Sequence, residues 1–77
     1  VIYKGLICED KAKGLKVAAN VRQEPRGGWR VRAVVYKNGS ETSSGGYVVL
    51  NVDSIRAVDL ANTFAYKTFR KLGGSIR

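Results

Sequence analysis

Two stretches near the middle of the chain alternate residue by residue, and they decide most of what it can fold into. From Leu15 to Gln23, Leu15, Val17, Ala19 and Val21 fall at one parity, and Lys16, Ala18, Asn20 and Arg22 at the other. From Trp29 to Lys37, Trp29, Val31, Ala33 and Val35 take one side, and Arg30, Arg32, Val34 and Tyr36 the other. A strand sends successive side chains to opposite faces, so each stretch predicts a half-buried strand. Between them, Glu24-Pro25-Arg26-Gly27-Gly28 holds the only proline and two glycines, which is turn chemistry. The pair predicts an antiparallel hairpin with one apolar face and with Arg22, Arg30 and Arg32 on the other.

Asn38-Gly39 predicts a second, tighter hairpin, because a type I′ turn needs positive φ at both central residues. The return strand starts near Ser40. Ser40 to Gly46 is polar throughout, and the paired glycines predict a bulge or break before the apolar Tyr47–Leu50. Val1 to Cys8 reads as a short β-segment broken by Gly5, and Glu9 to Gly14 as an exposed loop. After Asp53 or Ser54 as cap, Ile55, Val58, Ala61, Ala65, Phe69 and Leu72 recur at helical spacing, with Ala57, Leu60 and Phe64 widening the stripe. The helix is expected to run for about 18 residues at roughly 1.5 Å each and to end at Gly73 and Gly74. The order β-β-β-α implies a single α+β domain spanning 1–77, a three-stranded antiparallel sheet packed on one C-terminal helix. The helix must cover the apolar side, and the basic side stays open to water.

The chain has 77 residues, enough for one small core. Its net charge is +8, from 14 Lys and Arg against 6 Asp and Glu. Residues 1–37 hold nine basic and three acidic residues, so the excess belongs to the hairpin half. There is no His, which removes the commonest general base and a common metal ligand. One Cys without His offers neither a zinc site nor a thiol–imidazole pair. Neither glycine pair has phosphate-loop spacing. No catalytic centre, metal or cofactor is therefore expected. Cys8 reads as a small buried hydrophobe in a reducing compartment. No apolar run approaches the roughly 20 residues of a membrane span. A chain without Met that begins at Val1 reads as a domain excised from a longer protein.

A basic domain of this size carries one footprint of nucleic-acid binding. Arg22, Arg26, Arg30 and Arg32 belong to one hairpin, and guanidinium forks suit phosphate oxygens and guanine O6/N7. Tyr36 shares their face and offers a ring to stack or a hydroxyl to donate. Lys16, at the same parity, is a candidate phosphate contact. The bland alternative is a solvated face that only keeps the protein soluble. Two strands with almost no acid between them, Glu24 in the turn being the nearest, argue against it.

Tyr3-Lys4-Gly5-Leu6, Gly28-Trp29-Arg30-Val31-Arg32, the Asn38-Gly39 turn and the Ala57–Leu72 helix together resemble the Apetala-two/ethylene-response-factor DNA-binding domain and its apicomplexan relatives. The resemblance spans nearly the whole chain. It implies a transcription-factor domain of the nucleus that lays a three-stranded sheet in the major groove of double-stranded DNA. Lys4 would then match the first contacting Arg, and Arg32 a contacting position of the second strand. The segment Ile7–Gly28 is longer than in plant members, and Val49-Leu50-Asn51-Val52 replaces their Gly-Thr-Phe-like stretch. Two other classes fit the element order, a double-stranded RNA-binding module and a protein-interaction or homodimerising module.

Overall fold

In the computed structural model, which describes residues 2–75, four strands precede one helix. They are β1 (Ile2–Asp10), β2 (Leu15–Gln23), β3 (Trp29–Lys37) and β4 (Ser40–Val49), and the helix α1 is Ser54–Lys71. The sheet is antiparallel in the order β1-β2-β3-β4. The α+β class holds, but the three-stranded expectation does not. The opening segment is a full nine-residue strand, paired along its length with β2. Gly5 bends it rather than ending it. The register shifts between Lys4 and Ile7, and the Leu6 N–H leaves the ladder to donate to Asn62 Oδ1 on the helix at 2.7 Å.

The central hairpin follows its alternation without a slip. Leu15 faces Lys37 and Gln23 faces Trp29, with every pair between them in register. The 24–28 turn closes through Gly27 N–H to Glu24 O and Glu24 N–H to Gly28 O. Asn38 and Gly39 take φ of 52° and 85°, the two-residue turn that the dipeptide predicts. The bulge in β4 lies elsewhere than expected. Gly45 and Gly46 pair regularly with Ala33 and Arg32, and the irregularity falls opposite Val35/Tyr36. There Thr42 donates its hydroxyl to Val35 O at 3.3 Å. A glycine is still needed at 46, because a Cβ would run into Val31 O.

Asp53 caps α1, accepting from Arg56 N–H at 2.8 Å. The helix ends in a Schellman motif. Gly74 N–H donates to Phe69 O, Gly73 N–H donates to Arg70 O, and Gly73 carries φ of 87°. Its buried stripe is Ala57, Ala61, Ala65 and Phe69, all without solvent exposure. Ile55 and Leu72, expected in the stripe, point to water. Alanine every fourth residue lets the helix axis sit close over Ala19 and Ala33, with Val17, Val21, Val31, Val35 and Cys8 completing the core. Asp10, expected in an exposed loop, is 4% exposed and accepts from Ser75 N–H at 3.0 Å. The helix covers β1, β2 and β3, while β4 lies largely beyond it, reached by the edge contact of Tyr47 with Phe64. Trp29, expected in the core, is half-buried at its margin against Tyr3.

Candidate nucleic-acid interface

The face away from the helix is built in cross-strand rows, and the register names each one. Nearest the 24–28 turn, Ile2, Arg22, Arg30 and Val48 stand side by side. The next row is Lys4, Asn20, Arg32 and Gly46, followed by Ile7, Ala18, Val34 and Ser44. The last is Glu9, Lys16, Tyr36 and Glu41. The sheet thus brings Lys4, Lys16, Arg22, Arg30, Arg32 and Tyr36 to one surface. Arg26 stands exposed on the adjoining turn.

The rows differ in charge. The two nearest the turn carry four cations and no acid, whereas the last carries Lys16 between two carboxylates. The expected scarcity of acid on this face holds only for the two inner strands. The outer strands supply Glu9 and Glu41. Lys16 lies with its ammonium 5.0 Å from the Tyr36 ring centroid, a cation–π contact, so both residues are partly engaged with each other. The face is therefore polarised along the strands, with its positive end at Arg22, Arg26 and Arg30.

Three arginines of this face already have partners. Arg30 Nε donates to Glu24 Oε1 at 2.8 Å, and Arg22 lies 3.7 Å from the same oxygen. The hydrogen bond from Arg30, helped by the charges of Arg30 and Arg22, holds the Glu24 carboxyl below the usual glutamate range. Glu24 is thus an anion shared between the two guanidinium groups. Arg32 donates to Ser44 Oγ at 3.1 Å. A residue the candidate set omitted, Asn20, lies directly between Lys4 and Arg32. Its position on the polar parity was readable, but its neighbours follow only from the four-strand register.

Cys8 is 1% exposed within the core, and burial pushes its thiol pKa up. Among the described residues, no group of three or more His, Cys, Asp or Glu side chains is placed to hold a metal, and no helix is long and apolar enough to cross a membrane. Compared with protein-family models, curated proteins and solved structures, the chain matches none.

Proposed function

We propose that this domain binds double-stranded DNA in a sequence-selective way, through the open face of the sheet, as part of a transcription regulator in the nucleus. The observation that carries the reading is the pair of adjacent rows Arg22–Arg30 and Lys4–Asn20–Arg32, four cations and an amide on a flat, solvent-facing surface. Arg reads guanine O6/N7 and Asn reads adenine N6/N7, each through a bidentate pair. The likeness to the Apetala-two/ethylene-response-factor domain rests on the segments already quoted, and a fourth strand distinguishes this chain from it.

Four strands at about 4.8 Å spacing span roughly 14 Å between the outer axes, and the major groove is about 12 Å wide. The inner strands β2 and β3 therefore go deepest. Asn20 and Arg32 meet base edges, and Lys4 on β1 meets phosphate at the rim. Binding is the whole activity in this reading, with no cofactor and no catalytic step.

Selection of bound sequences from a random double-stranded pool at near-physiological salt tests this. A short enriched motif supports it. Binding without enrichment that fades as salt rises would reduce the face to a general phosphate surface. On an enriched duplex, Arg32→Ala should relax selectivity at one base pair by about 1–3 kcal/mol. An equal loss on every sequence would assign Arg32 to phosphate alone.

A second reading has its own observation. Beyond Glu41 and the bulge at Thr42, the outer edge of β4 carries no Lys, Arg or Pro to guard it, and Ser43 to Val49 pairs only with β3. Two copies pairing along β4 would make a homodimer, recognised by self-association that salt does not weaken.

A further inference from the structure

Beside the polar row Lys4–Asn20–Arg32 runs an apolar one, Ile7–Ala18–Val34. Ile7 is 58% exposed on a face otherwise rich in cations, so it adds nothing to the core. Val34 is 6% exposed although it points away from the helix, and it forms part of the floor of this face. Between them Ala18 stops at Cβ. The row is therefore large–small–large, and a shallow hollow of about 240 Å³ opens at its β1 side, walled by Ile2, Ile7 and Tyr36 and bounded by Lys4 and Lys16.

We propose that this hollow takes the 5-methyl group of thymine, so that the recognised duplex carries an A·T pair at a fixed place in its major groove. The inference rests on the DNA-binding reading and names what that face selects. A hollow lined by Ile2, Ile7 and Ala18, with Lys4, Lys16 and Asn20 at its margin, suits a ligand that is apolar at one point and anionic beside it. In a DNA duplex the thymine methyl is the apolar group displayed in the major groove, between two lines of phosphates. Ala18 lies on inner strand β2, where the sheet reaches deepest. It is two residues from Asn20, a separation of about 7 Å along the strand or roughly two base-pair rises. The thymine therefore lies about two base pairs from the purine that Arg32 reads.

The test starts from the enriched duplex and replaces each thymine in turn with uracil, which removes the methyl and leaves the pairing edge intact. At one position affinity should fall about three- to fivefold, the worth of one buried carbon group. Ala18→Val puts two methyl groups on the floor of the hollow, where the thymine methyl would rest, on a strand position that tolerates a β-branched side chain. It should abolish the uracil penalty while leaving the salt slope unchanged, and Ile7→Ala should shrink that penalty. An enriched motif without thymine would overturn the proposal. So would uracil at every position without effect, or a penalty that persists in both variants. Failure of the DNA-binding reading is distinguishable, because the random pool would then yield no enriched duplex at all.

Discussion

Replacing Glu24 with Gln removes the carboxylate that touches Arg22 and Arg30 and changes little else. The side chain belongs to a turn closed by backbone hydrogen bonds of residues 24, 27 and 28, which Gln leaves in place. The net charge rises from +8 to +9. More important is where the charge appears, on the row that already holds two guanidinium groups 2.8 and 3.7 Å from the lost anion. One cation that Glu24 now offsets becomes free for a phosphate. Each additional neutralised phosphate steepens the dependence of log affinity on log salt by about 0.9 for B-DNA. Over the fourfold rise from 50 to 200 mM salt, E24Q should therefore lose roughly three- to fourfold more affinity than the parent. At low salt it should bind random duplex more tightly. The ratio of affinities for enriched and random duplex should change little, because a phosphate contact carries no sequence information. Fluorescence anisotropy across a salt series, on an enriched and a scrambled duplex, measures both. The pH dependence adds a control with a definite sign. The arginines hold the Glu24 pKa below its ordinary value of about 4.3, so the clamp is intact at neutral pH. It opens only as pH falls through the depressed value. The parent should approach the steeper slope only in that acid window, and E24Q should show no such change. A salt slope that E24Q leaves unaltered would refute the argument, because Arg22 and Arg30 would then not be meeting phosphate.

Three further outcomes test the architecture. Phe69→Ala should cost about 3–5 kcal/mol in urea unfolding, since the ring is fully buried and its loss leaves a cavity; a cost under about 1 kcal/mol would mean that the last helical turn is not part of the core. Gly74→Ala should lower the melting temperature because a Cβ would meet the Phe69 ring at 2.5 Å, whereas Gly45→Ala, with nothing within 4 Å, should leave it almost unchanged; equal effects would discount the helix-end packing. Cys8 should resist alkylation at pH 8, where its raised pKa keeps it a neutral thiol, and react in step with unfolding as urea is added; rapid labelling of the native protein would place it outside the core.

The central hairpin was legible because local pattern and tertiary environment agree there. Leu15–Val21 and Trp29–Val35 alternate cleanly, and the helix buries the side that the alternation marks. Both turns carry residues that their φ values demand. The cap and the C-terminal glycines of α1 were equally plain, since those signals act within one helical turn. The helix stripe was legible in its middle and not at its ends. Ala61, Ala65 and Phe69 are buried and Val58 packs at their margin, but Ile55 and Leu72 face water and Ala57 takes a central place. Close approach to a flat sheet favours small side chains over large ones, and hydrophobicity alone does not register that preference.

The outer strands could not be assigned to faces from periodicity, because each is interrupted by a bulge, and one extra residue exchanges the two faces beyond it. In β1 the shift between Lys4 and Ile7 puts Cys8 and Asp10 inward on one side of it, and Tyr3 inward with Lys4 outward on the other. In β4 the extra residue at Thr42 has the same effect, turning Tyr47 toward Phe64 and Gly46 to the open side. Both bulges thus send an aromatic ring to the helix side and bring a slim or cationic residue to the other. Unbroken alternation would instead have stood Tyr3 and Tyr47 on the open face. The row Lys4–Asn20–Arg32–Gly46 exists because both edges turn over. The face it belongs to remains low enough for a flat, charged partner to approach Asn20 and Arg32 without meeting a bulky ring at either side of that row.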